Sequence, residues 1–227
     1  MSKRLDACLA KDVVARKRGL QFGDNLQKQW RDVEADEVDL GKEFVTDNAK
    51  DKLRWLQWAG IVERGRPSSL VLFRTKPKLT SRRAPGPGPI KKSDWYPMAK
   101  KWLKGRKILL HTDGARSYKL GLNRKNTLEG VIHDYVTHKP KKDGKFLRPK
   151  YVQLFAHSID GSTTYTKGGT QIIDRCWQHI RKFVGRRSAA GSSQKRMDAR
   201  VRAAQWAYWH QDDDLFLKVG EVFRRRC

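Results

Sequence analysis

Ile108-Leu109-Leu110-His111-Thr112-Asp113-Gly114 is a short apolar run that ends in polar residues and an Asp-Gly pair. Bounded this way, it reads as a buried strand followed by a turn. Just before it, Trp95 to Leu103 has helix potential, and Gly105 stops it. Further upstream, Val33 to Phe73 is strand-like, with Trp55, Leu56, Trp58, Ile61 and Val62 in one run and Leu70 to Phe73 in another. Gly65-Arg66-Pro67-Ser68 between them predicts an antiparallel hairpin. The order strand, hairpin, helix, strand predicts an α/β chain with a mixed sheet. Acids at the ends of buried strands are where α/β sheets place ligands, so Asp113 is a candidate site residue as well as a turn former.

Residues 1–30 read as a basic helical lead-in, with Leu5, Leu9, Val13 and Val14 at helical spacing and breaks near Gly19 and Gly23; residues 31–227 form the main domain. Lys76 to Lys92 holds Pro77, Pro85, Pro87 and Pro89, which predicts an exposed loop without a regular element. Residues 139–150 read as a second basic loop and Tyr151 to His157 as a short strand. Thr170 is a plausible N-cap for a helix to about Val184, whose Ile173, Cys176, Trp177 and Ile180 share one face. A linker from Gly185 to Ser193 precedes a last helical stretch from about Met197 to His210, where Trp206, Tyr208 and Trp209 read as a packing face.

The 227 residues suffice for a real core. Fifty Lys and Arg against 24 Asp and Glu give a formal charge of +26, for which a polyanion is the natural partner. The basic stretches Arg64 to Arg66, Lys76 to Arg83, Lys139 to Lys150 and Arg181 to Arg187 predict contact with the DNA backbone. No apolar span, amphipathic anchor or secretory signal is read, so no membrane partner is expected. Three cysteines without a CxxC pair predict neither a disulfide framework nor a zinc module, and a reducing compartment.

Two-metal phosphodiester chemistry needs carboxylates from separate segments converging on ions about 3.5 to 4 Å apart, and Mg²⁺ suits such sites. Asp36, Asp113 and Asp174 lie in three such segments. Each has an ordinary reading beside this one. Asp36 belongs to an acidic cluster that water can solvate, Asp113 can start a turn, and Asp174 favours a helix N-terminus.

Val33-Glu34-Ala35-Asp36-Glu37 with Gly41-Lys42 resembles the "VE-x-DE...GK" opening of Merlin-type DDE transposases and their bacterial insertion-sequence relatives. Trp58-Ala59-Gly60-Ile61-Val62-Glu63-Arg64 is similar to the family's second strand, and His111 to Tyr118 to its "TDG-x-x-x-Y". Val136-Thr137-His138 resembles "VNH", and Gly169 to Trp177 resembles "HTQ-x-IE-x-x-W". The matches keep their order over roughly residues 33 to 184. The third acid is Asp174 where the family has Glu, and Thr137 stands where it has Asn. The resemblance implies a ribonuclease H-like mixed sheet flanked by helices, with Asp36 on the first strand, Asp113 after the fourth and Asp174 on a helix beside the sheet. It also implies that these acids hold two Mg²⁺ (or Mn²⁺) ions for cleavage and transfer of double-stranded DNA, at transposon ends and target. His138 and Arg116 would position phosphate, with His111 a further candidate. A homodimer, and a domesticated copy that binds DNA without chemistry, remain open. The expected location is the nucleus of a eukaryote or the cytoplasm and nucleoid of a bacterium.

Overall fold

The computed structural model describes residues 3–23, 29–45, 52–119, 128–138, 141–185 and 194–226. Its centre is a six-stranded sheet. Strand β1 (Arg31–Val45) is flanked by β2 (Lys52–Glu63), which runs antiparallel to it, and by β5 (Ile108–Asp113), which runs parallel; β6 (Val131–Val136) continues parallel beyond β5. β3 (Arg66–Arg74) and β4 (Lys78–Ser81) both pair with β2, giving the order β3-β2-β1-β5-β6 with β4 alongside the first half of β2. The sheet is therefore mixed, as the order of elements in the sequence predicts.

Helices cover both faces, which is why β2 is buried on both sides rather than alternating. Val38 and Leu40 of β1 point into a core built with α1 (Lys3–Lys17), α3 (Gln171–Val184), α4 (Gln194–Trp209) and α5 (Leu215–Arg226). Val33 and Ala35 point the other way, into a core shared with α2 (Lys92–Leu103) and Phe22. Period-two alternation along β1 thus assigns Glu34 and Asp36 to the α3 side. Leu9 and Val13 of α1 are fully buried beside Val201 and Trp206 of α4, and Trp206, Tyr208 and Trp209 pack as read from the sequence. Among the described residues no helix is long and apolar enough to cross a membrane.

Several local expectations need correction. The β2–β3 turn is only Arg64–Gly65, with Gly65 at φ 75°; Pro67 and Ser68 belong to β3, beside a register shift where the Ser69 hydroxyl accepts the Glu63 N–H at 2.8 Å. Pro is tolerated there because β3 is an outer strand. The loop after Lys76 contains β4, and Lys78 is buried, its ammonium donating to the carbonyls of Gly88 and Pro89. The second basic loop holds a small hairpin, β7 (Lys141–Lys142) and β8 (Lys145–Phe146). The expected strand at 151–157 is β9 (Gln153–Ile159), joined through Asp160-Gly161 to an unforeseen partner, β10 (Ser162–Gly168). Cys8 takes part in a disulfide, a link that sequence spacing did not reveal; Cys176 is free and buried. Most of the expected linker at 185–193 also lies outside the described residues.

Candidate active site

The site grows from the pairing of Asp36 with Gly60 across β1 and β2. A β-carbon on Gly60 would sit 2.7 Å from the Trp177 ring and 3.1 Å from Ile173, so only glycine lets α3 lie this close to the sheet. Trp177 uses that approach to donate its indole N–H to Asp36 Oδ2 at 3.1 Å. One strand position earlier on the same face, Glu34 is fully buried, and its Oε2 accepts the N–H groups of Ile172 and Ile173 at 2.7 and 2.9 Å. A carboxylate there satisfies two of the helix's open donors and complements its dipole. Thr170 was expected to do this. Its side chain makes no cap hydrogen bond and instead donates to Asp174 Oδ2 at 3.2 Å. Arg64 completes the anchor, pairing with Glu34 Oε1 at 2.7 Å and donating to the carbonyls of Lys167 and Gly169.

Asp113 ends β5, and its Oδ1 accepts the Ala115 N–H at 2.9 Å, so the turn-forming reading of Asp113 holds. That turn lies against the end of β6: a β-carbon on Gly114 would fall 2.4 Å from Thr137 Oγ1. His138 follows, with its ring 5.3 Å from that of Tyr151 and its buried Nε2 without a hydrogen-bond partner.

Asp36, Asp113 and Asp174 are all half-buried and lie within electrostatic reach of one another. Burial first, then the charges of Glu37, Asp113 and Asp174, hold the Asp36 carboxyl well above the usual carboxylate range. Asp174 is also raised, by burial and by Asp113, while Thr170, His138 and Arg181 pull it down. His138 is therefore near Asp174, whereas Arg116 stands exposed in the turn after Asp113. His111 is fully buried, bonded to Asp32 at 2.7 Å under the β9–β10 hairpin, and so is a structural residue rather than one that meets phosphate. Glu37 faces the opposite side of the sheet, accepting from the Tyr118 hydroxyl and, at 3.0 Å, from the Ile90 N–H.

The donor types suit a hard divalent cation: carboxylate oxygens, two of them raised chiefly by burial and also by neighbouring acids. Among the described residues no group of three or more His, Cys, Asp or Glu is gathered closely enough to hold a metal ion. Along the same side, Asp39, Arg181 and Lys182 border an open groove of about 710 Å³ between the middle of β1 and the C-terminal end of α3. Not every basic stretch is available to a polyanion: Arg64 is taken by Glu34, and Arg66 by Glu63 at 2.8 Å.

No family model, curated protein or solved structure matches the chain.

Proposed function

We propose that this protein is a DDE-type, ribonuclease H-like domain that cleaves and transfers strands of double-stranded DNA with divalent metal ions. The observation that carries the reading is the shared electrostatic field of Asp36, Asp113 and Asp174, which come from β1, the end of β5 and the first turn of α3. A mixed sheet with helices on both faces is compatible with it, and so is an acid at the end of β5, beside the stretch of β1 that runs parallel to it and leads to Asp36. The order of motifs resembling the Merlin-type transposases adds to this, as does the charge of +26.

In this reading Asp36, Asp113 and Asp174 would hold two Mg²⁺ ions, and the ions would supply Lewis acidity toward the scissile phosphate. The chain's own residues prepare the place. Trp177 orients the Asp36 carboxylate, Thr170 orients Asp174, and the Gly114 turn keeps Asp113 against the end of β6. His138 Nε2 is buried and unpartnered, so a phosphate oxygen could take that place only if the side chain turned outward. A second reading, a DNA binder without chemistry, is favoured by the shorter reach of Asp174 where the resembled family has Glu.

Nicking of supercoiled DNA in Mg²⁺ separates the two. The wild type nicks, and Asp113→Asn keeps its fold and its DNA affinity but does not nick. Normal nicking by that variant leaves Asp113 as a turn residue only.

A further inference from the structure

Two surface features of opposite character lie away from the carboxylates. The first is a shallow trough of about 490 Å³ along α1 and α4. Its floor is small and apolar, formed by Ala7, Ala10 and Val14 of α1 with Ala199 of α4, and Val14 is 44% exposed. Its rim is basic, with Lys11, Arg18, Lys195 and Arg202 around it. The acid on that rim, Asp198, is engaged by Arg74 at 3.3 Å and also faces Arg202, which leaves Lys11, Arg18 and Lys195 to set the charge of the rim.

The second feature is a knob at the start of α5. Leu215, Phe216 and Leu217 are 44%, 87% and 63% exposed, directly after the exposed acids Asp212, Asp213 and Asp214. The knob is held in shape. Asp214 Oδ1 accepts the N–H groups of Phe216 and Leu217 at 2.9 and 3.2 Å, and Asp213 bonds His210 at 2.5 Å. Later in the helix Val222 is buried, with Val219 and Phe223 packed on the same core, so α5 spends its apolar face there and leaves its first three apolar residues facing outward. Contiguous exposed apolar residues with a charged border mark an interaction surface.

We propose that the acidic-apolar knob of one copy docks into the basic-rimmed trough of a second copy of this chain. Apolar meets apolar at the centre, and Asp212 to Asp214 meet the exposed Lys11, Arg18 and Lys195 at the rim, which is the usual anatomy of a protein interface. The partner is a protein surface rather than nucleic acid, because three consecutive acids repel phosphate and an alanine and valine floor gives phosphate no donor. Knob and trough are different surfaces, so the contact is heterologous and runs head to tail, closing into a ring or extending. A three-residue knob covers less than a standard interface of about 1,600 Å², so association depends on concentration. This inference does not rest on the nuclease reading.

Sedimentation of the full chain without DNA tests it. The mean mass of the wild type rises with concentration and falls back as salt is added. Phe216→Asp spoils only the knob; Val14→Asp, or Lys11→Glu together with Arg18→Glu, spoils only the trough. All these positions are exposed, so circular dichroism and thermal unfolding stay at wild-type values, and the double rim variant replaces Val14→Asp if that one unfolds early. Each variant alone stays monomeric. An equimolar mixture of a knob variant and a trough variant forms dimers and stops there, because each retains one intact half. The proposal fails if the wild type is monomeric at every concentration, if the variants associate like the wild type, or if the mixture stays monomeric. Loss of DNA affinity in Val14→Asp with no effect on mass would make the trough a nucleic-acid surface and would also overturn it.

Discussion

Trp177 on α3 donates its indole N–H to Asp36 on β1 at 3.1 Å, across 141 residues of chain. The bond is short enough to form only because Gly60, the β2 partner of Asp36, has no side chain to hold the helix off. Helix docking and carboxylate orientation are therefore one event, and changes that move α3 move the acids.

Gly60→Ala tests that coupling. The added methyl would press on Trp177, Leu72 and Ile173 at 2.7 to 3.1 Å, an overpacking that costs about 1 to 3 kcal/mol. Chemical denaturation should show that loss, and the Trp177 emission should change because its hydrogen bond to Asp36 lengthens. An unchanged midpoint would mean that α3 shifts freely.

Asp36→Asn should stabilise the metal-free protein. The Asp36 carboxyl titrates high when folded, so the stability tied to its protonated form is complete below the ordinary carboxylate range of about 3.9. That stability is lost as pH rises through the raised folded value. Above the ordinary carboxylate range the raised carboxyl is a cost to folding, which the amide removes while still accepting from Trp177. If the difference is on the order of 1 kcal/mol, melting rises by about 2 to 4 °C at pH 8. The gap between variant and wild type should shrink toward pH 4, and Mg²⁺ should raise the melting temperature of the wild type alone. A variant that melts lower at pH 8 contradicts the electrostatic reading.

Glu34→Gln should be destabilising although Glu34 touches no substrate. It removes the charge that caps α3 and pairs Arg64, and hydrogen bonds to charged groups contribute about 1.5 to 3 kcal/mol. Urea unfolding measures this. A neutral result would show that water replaces Glu34 at the helix end.

DNA affinity should be steeply salt-dependent. With about six to ten phosphates neutralised, binding falls on the order of a thousandfold between about 50 and 200 mM salt. Arg66→Ala should change the slope little, because Arg66 is already paired with Glu63. A flat salt dependence would remove the polyanion as partner.

The parts of the fold legible in the sequence are those set by local pattern: β5 by its apolar run, the β2–β3 pair by two strands around a turn, α3 by its apolar face. What escaped depends on meetings across the chain. Thr170 looked like the cap of α3 because Thr suits that place, yet Glu34, far earlier in sequence, does the work. β10 escaped because Ser162 to Gly168 carries one large apolar residue; the Asp160-Gly161 pair was a hairpin signal that could have revealed it. β4 was hidden by the prolines after it. Of the candidate site, the three acids were found through short motifs, and Asp36 depended on the family resemblance more than on its own pattern. Gly60 and Trp177 were quoted within those motifs, but their role appears only when strand and helix are brought together. His111 looked equivalent to His138 in sequence, and only burial under the β9–β10 hairpin tells them apart.

The most direct measurement is the rate of Mg²⁺-dependent nicking of supercoiled DNA by the wild type, Asp36→Asn, Asp113→Asn, Asp174→Ala and Asp174→Glu, with thermal unfolding of each as the folding control. If the three acids act as one unit, the first three substitutions each abolish nicking to a similar floor and combine without further loss, while Asp174→Glu nicks faster than the wild type. Nicking that survives in Asp36→Asn, Asp113→Asn or Asp174→Ala, or that persists after Mg²⁺ is chelated, contradicts the account.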